Sequence, residues 1–303
     1  MKNSYKNTKS NNLILYHLLA FFVGSVWGIS FISTSKLLDA GIQPTEIYVI
    51  RFLIAYFAIL CITYKKILSD SLKDECLFMI CGLCGGSIYY IGENTALQYT
   101  LVTNVSLLVT LSPIITVLIT KMMYKTEQLK KEFIIGSLIA FVGVACVIFN
   151  SATNIQVKPL GDMLAIAAAA SFAIYCIVAN KLNDRYDTLF ISRKIFFYGV
   201  ITAIPFLFFQ DHFVDFHVFT SGIVWGHILF LSLICSLAAF IMWNAAIDKL
   251  GANRASNYLY FSPVVTLIAS ILILNEPVSF IGYVGCALTI GGVIVSEKVK
   301  FNK

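Results

Sequence analysis

Arg51 and Glu93 are opposite charges placed where charges are expensive. Arg51 falls in the apolar run 44–64 and Glu93 in the apolar run 77–98. An ionised side chain inside hydrocarbon is costly unless it is paired or hydrated. Tyr90, Glu93 and Asn94 follow i, i+3, i+4 spacing and so share one helical face. At the rise of a helix, Glu93 lies about five residues and Arg51 about seven residues below the outer ends of their runs, close enough in depth for an ion pair. Two chemistries follow. The pair could face a wet cavity, with Arg51 holding a carboxylate and Glu93 an ammonium, or Glu93 could take up a proton. The structural alternatives are a pair that locks two helices, or snorkelling to the outer surface.

Other polar and aromatic residues recur in register with these. Phe240, Trp243 and Asn244 stand at the positions equivalent to Tyr90, Glu93 and Asn94, so the second copy carries an aromatic in place of the acid. Asn94 and Asn244 each donate and accept hydrogen bonds, which suits a polar ligand and suits interhelical bonding equally. Asn257, Tyr260 and Phe261 share a face in the run 252–274, where an aromatic wall or plain packing would both fit. Trp27, Phe31 and Tyr175 are read the same way, as candidates for a ligand pocket. Arg193 aligns with Arg51 at an offset of 142 but adjoins Lys194, where topology alone would account for it. Cys81 and Cys84 form a C-x-x-C pair among Gly82, Gly85 and Gly86 with no His close in sequence, which reads as packing rather than as a metal or redox site.

The elements that must position these residues are membrane helices. Apolar and aromatic residues make up 58% of the 303, and only 13% are charged, whereas soluble domains carry about 25% charged residues. The charges cluster between apolar runs long enough to cross a bilayer. Ten runs result: 13–35, 44–64, 77–98, 102–123, 133–149, 160–179, 189–209, 224–247, 252–274 and 280–296. With the N-terminus in the cytoplasm, nineteen of the 22 Lys and Arg residues fall on the inner side, leaving only Lys36, Arg51 and Lys158. The positive-inside rule therefore predicts two cytoplasmic termini. The polar segment 1–12 reads as a cytoplasmic tail, and the run after it is too long for a signal-peptide core and lacks a cleavage site. The net charge of +6 belongs to the lipid surface, with no basic stripe of the kind that binds nucleic acid.

An internal repeat organises the runs. At an offset of 150, Asn94, Ala96, Ser106, Ser112, Pro113 and Thr116 match Asn244, Ala246, Ser256, Ser262, Pro263 and Thr266. One residue of slip later, Glu127, Gly136, Gly143 and Val144 match Glu276, Gly285, Gly292 and Val293. Five spans per copy is an odd number, so the copies are inverted, a design that places a substrate site at their interface. The expected domains are a first five-helix repeat at 13–150, a linker at 151–159, a second repeat at 160–296 and a cytoplasmic tail at 297–303. Pro113 and Pro263 occupy equivalent positions within spans and read as paired hinges or as kinks that shape packing. Gly82 and Gly86, and Gly136, Gly143, Gly282, Gly285 and Gly292, read as close helix contacts.

The ordered motifs resemble those of the EamA-type, ten-helix branch of the drug/metabolite transporter superfamily. The resemblance rests on Trp27-Gly28-Ile29-Ser30-Phe31, on Pro44 with Arg51-Phe52, on Ala96 to Thr100, and on Pro113, Glu127, Gly136 and Gly143. The second half adds Trp243 to Ala246, Gly251 to Ser256, Pro263-Val264, Glu276 and Gly292. It implies an all-α membrane protein, two inverted five-helix repeats around a central cavity, and carriage of amino acids or related metabolites, often with proton coupling. This chain departs from the pattern at Leu101-Val102-Thr103 and at acidic Glu93. The expected function is secondary transport of a small polar metabolite, an amino acid or a related zwitterion or cation, across a bacterial inner membrane. The expected partners are that substrate, the bilayer and, as a candidate coupling ion, the proton, with the protein a monomer and without cofactor, metal or nucleic acid. A passive channel is the first alternative. An intramembrane enzyme is the second, disfavoured by the absence of H-E-x-x-H and by the scatter of His17, His212, His217 and His227.

Overall fold

A computed structural model describes residues 2–64, 66–100, 102–123, 131–151, 158–210, 212–274 and 279–297. Lys65, Lys125, Glu127, Lys130, Glu276, Lys298, Lys300 and Lys303, with most of the expected linker and the C-terminal tail, lie outside the described residues. The described residues make ten helical passages. In the first repeat these are α1 (Lys2–Asp39), α2 (Pro44–Thr63), α3 (Leu72–Tyr99), α4 (Val102–Val109 and Ser112–Met123) and α5 (Lys131–Ser151). In the second they are α6 (Pro159–Asn183), α7 (Thr188–Leu207), α8 (Gly222–Leu250), α9 (Ala252–Asn257, Tyr258–Tyr260 and Phe261–Leu274) and α10 (Phe280–Glu297). Among the described residues six of them, α1, α2, α3, α6, α7 and α8, have the length and apolarity to cross a membrane by themselves.

Local chemistry sets the ends of these helices. Pro44 opens α2, where its missing N–H costs nothing, and the Glu46 carboxylate accepts from Gln43 N at 2.9 Å. Ser71 accepts from Asp74 N at 3.2 Å at the start of α3, and Asp187 from Leu189 N at 3.1 Å at the start of α7. Between α8 and α9 the chain turns at Gly251, whose φ of 82° and ψ of 158° define a region open almost only to glycine.

The packing follows the duplication. α3 lies on α6 as α8 lies on α1, and α4 on α6 as α9 lies on α1, while α2 meets α7 and α5 meets α10. These pairings map onto one another or onto themselves, as an approximate two-fold axis requires. The outward faces remain apolar: Ile62, Phe208 and Phe280 are 70%, 81% and 81% exposed, a surface that only lipid would cover.

Two interruptions recur at equivalent places. α3 contains a π-turn at Leu83–Ser87 and α8 one at Phe230–Ala238. α4 breaks at Thr110 and Leu111, and α9 passes through a 3-10 turn at Tyr258–Tyr260. The continuous spans expected at 102–123 and 252–274 are thus each divided. Pro113 and Pro263 sit in the first turn of the helices that resume at Ser112 and Phe261, positions that need no hydrogen bond from the missing N–H.

Candidate functional site

The divided helices meet a cleft between the repeats. α1 contributes Trp27, Ser30 and Phe31, and α3 contributes Tyr89, Tyr90 and Glu93. The break in α4 adds Val109 and Thr110, and the break in α9 adds Leu259 and Ser262. The space is narrow, about 20 Å³, enough for ordered water. Glu93 is 7% exposed and accepts a hydrogen bond from Tyr89 Oη at 3.0 Å.

The π-turn of α8 anchors one wall of the cleft through Trp27. Ala239 N–H reaches back to Ile234 O, which leaves Cys235 O for a side chain, and the Trp27 indole donates to it at 2.9 Å. Trp27 also packs on Trp243, centroid to centroid 5.1 Å, and edge-on to Phe172 at 5.5 Å. In the same π-turn, Ser236 Oγ accepts from Arg51 Nε at 2.8 Å.

Arg51 and Glu93 do not form the ion pair that their depths allowed. Among the described residues no carboxylate lies within 4.0 Å of Arg51. Its guanidinium carbon stands 4.4 Å from the centroid of Tyr90 instead, so Tyr90 separates it from the cleft. Arg51 is 2% exposed, and its Nη2 has no hydrogen-bond partner among the described residues.

The remaining candidates lie away from the cleft. Asn94 Nδ2 donates to Pro44 O at 3.2 Å, tying α3 to α2. Tyr175 Oη donates to Asn244 Oδ1 at 2.9 Å, and Asn244 Nδ2 donates to Ser192 Oγ at 3.1 Å, joining α6, α8 and α7. Asn257 accepts from Ser137 Oγ at 3.3 Å and donates to Ser296 Oγ at 2.9 Å, which fastens α9 to α5 and α10. Tyr260 is fully buried beside Ala140, Val144 and Val293. Sequence reasoning missed Tyr89, Ser30, Val109, Thr110, Leu259 and Ser262. Only Tyr89 carried a signal, since it stands one helical turn before Glu93.

At the opposite end of α3, about 27 Å along the helix from Glu93, lies a dense polar latch. Lys194 Nζ on α7 meets Glu75 Oε1 on α3 at 2.6 Å, and Ser69 N donates to the same oxygen at 2.7 Å. Tyr198 Oη donates to Glu75 Oε2. Arg185 Nη1 lies 2.7 Å from Asp74 Oδ1, and Tyr186 Oη donates to Asp74 Oδ2 at 2.8 Å. Arg193 donates to Thr63 O and Lys66 O, which closes the α2–α3 connection over α7. Apart from the bond from Ser69 to Glu75, every one of these contacts joins the first repeat to the second.

The profile of a family described as EamA-like transporters matches residues 14–149 and, a second time, residues 159–297. The chain belongs to the EamA-like transporter family. Among its relatives, the uncharacterized transporter YetK of Bacillus subtilis is 27% identical over 253 residues, 82% of this chain and 76% of YetK. An uncharacterized transporter of Archaeoglobus fulgidus is 27% identical over 288 residues, covering 92% of this chain and 96% of its own. A probable terminal-alkyne amino-acid exporter of Streptantibioticus cattleyicolor is 25% identical over 227 residues, 75% of this chain and 74% of that protein. One solved crystal structure, 18% identical, superposes with a TM-score of 0.74 over 94% of this chain and 96% of that chain, a likeness of fold. As an EamA-like transporter the chain is an integral membrane protein with a transport role, and its family argues against an intramembrane enzyme.

Proposed function

We propose that this protein is a secondary transporter that moves a small polar metabolite, foremost an amino acid or a related zwitterion or cation, by alternating access. The observation that carries the reading is the position of Glu93, an intramembrane acid in an aromatic cleft bounded by broken helices of both repeats. Broken helices at a repeat interface are where carriers place their substrates. The distribution of Lys and Arg supports a bacterial plasma membrane with both termini inside, which puts the cleft toward the outer face and the Glu75–Lys194 latch toward the cytoplasm. The chain acts as a monomer in this reading, with the proton as candidate coupling ion.

Proteoliposomes loaded with single amino acids provide the test, in both uptake and efflux. Solute-specific, saturable movement is the expected result, reduced at least about tenfold by Glu93→Gln, since an intramembrane carboxylate that touches substrate is worth that much. Unitary conductance steps in a planar bilayer would favour a passive channel instead.

Pro113 and Pro263 serve as paired hinges in the same scheme. Because neither interrupts a hydrogen-bonded turn, the double variant Pro113→Ala, Pro263→Ala is expected to keep its thermal stability while its turnover slows. Unchanged turnover would assign both prolines to helix initiation alone.

A further inference from the structure

The geometry points to a cation site in the cleft: we infer that it receives an ammonium or quaternary onium group, and that it does not recognise a substrate's carboxylate. The inference rests on the transporter reading above and specifies which end of the substrate the cleft takes.

The argument starts from what the cleft can offer. Its hydrogen-bond donors are largely committed elsewhere. Trp27 Nε1 donates to Cys235 O at 2.9 Å, Ser30 Oγ to Trp27 O at 2.7 Å, and Thr110 Oγ1 to Leu107 O at 2.6 Å. Tyr89 Oη donates to Glu93 itself at 3.0 Å. A hydroxyl has one proton to give, so Ser30 and Thr110 retain only lone pairs for a ligand. A carboxylate requires several donors aimed at its oxygens, and here most of them are spent.

A cation needs the reverse, and the lining supplies it once the cleft widens beyond the roughly 20 Å³ of this conformation, which has room only for water. Glu93 is the only charged residue among the described lining residues. Four rings line the same cleft, those of Trp27, Phe31, Tyr89 and Tyr90, and the face of such a ring attracts an onium. Arg51 is the nearest candidate for holding an anion, and Tyr90 stands between it and the cleft. Its positive charge instead offsets that of Glu93 while the site is empty. The two residues thus divide the work: Glu93 meets the ligand, and Arg51, clamped by Ser236, stays inside the protein.

Choline and 3,3-dimethylbutan-1-ol test this directly, since they match in shape and differ in charge. Binding is read by thermal shift and by calorimetry on the purified full chain in detergent, with pivalate as the anionic probe. Choline is expected to bind at least about tenfold tighter than the neutral alcohol, the range of a desolvated cation–π contact with a counter-ion. Glu93→Gln should abolish that preference. Phe31→Leu, which removes one ring and leaves the carboxylate, should narrow it, so the inference stays testable if the first variant folds poorly. Equal binding of choline and the alcohol, binding of pivalate alone, or no binding by any probe would each overturn it. The outcome separates from the transport question: a protein that binds choline and moves no solute keeps the site and loses the transporter reading, while one that moves amino acids and ignores choline does the opposite.

Discussion

Replacing Lys194 with Met is expected to destabilise the protein by on the order of 3 kcal/mol, because the substitution strands the Glu75 carboxylate without its counter-charge. The Lys194 side chain is 5% exposed and that of Glu75 15%, so water has little access to compensate. Tyr198 and Ser69 would remain as donors to Glu75, and neither carries charge. Removing both charges, in Glu75→Gln with Lys194→Met, should recover most of the loss, since no ion is then left buried alone. Thermal unfolding of the four proteins of this cycle in detergent measures the coupling. Additive losses in the double variant would show that the two residues act independently.

The same cycle bears on transport. In the repeat register, the counterparts of Glu75 and Lys194 are Trp225 and Phe52, which cannot form an ion pair. The latch therefore has no equivalent at the cleft end of the bundle. The cleft end is joined across the repeats by hydrogen bonds rather than an ion pair, Val214 N to Glu46 Oε1 and Thr100 Oγ1 to Asp162 Oδ1, both at 3.0 Å, and an alternating cycle would have to break Glu75–Lys194 in its other half. A weaker latch raises the population of the second state by as much as it lowers the stability of the first.

The passages were legible because crossing a bilayer demands an unbroken apolar length, and no other demand produces ten such runs. Their pairing followed from the repeat, since matched motifs such as Asn94 and Asn244 occupy equivalent helices. What sequence spacing does not encode is rotation about the helix axis once the helix stops being regular. Asn257 and Tyr260 do share a face, but it turns toward α5 and α10, and the 3-10 turn at Tyr258–Tyr260 leaves Leu259 and Ser262 at the cleft. The π-turns were equally silent, because Leu83–Ser87 and Phe230–Ala238 are composed like any membrane helix. Depth placed Arg51 and Glu93 at one level, and azimuth then set Arg51 against the Tyr90 ring instead. The latch residues Asp74, Glu75, Arg185 and Lys194 lay in plain view as loop and helix-end charges, where topology was a sufficient account of them.

Gly292→Leu is expected to prevent stable folding, while Gly291→Leu, one residue away on the same helix, is expected to be tolerated. A Cβ at Gly292 would stand 2.3 Å from Ala140 N and 2.6 Å from Gly136 O, both backbone atoms of α5. Side chains can swing aside from an intruder, but a helix backbone moves only as a body, so the cost exceeds the 1–3 kcal/mol, roughly, of ordinary overpacking. The contact is reciprocal. Gly136 would meet Ser296 N at 2.5 Å, Gly143 would meet Thr289 N at 2.4 Å and Gly285 would meet Val147 N at 2.6 Å. Four glycines on two repeat-related helices thus let α5 and α10 touch along their length, the way membrane helices gain van der Waals contact without help from water. At Gly291 a Cβ meets nothing within 4 Å, so a leucine there adds only lipid-facing surface. Monodispersity on size exclusion and the midpoint of thermal unfolding distinguish the two variants, and similar behaviour in both would contradict the backbone contact between α5 and α10.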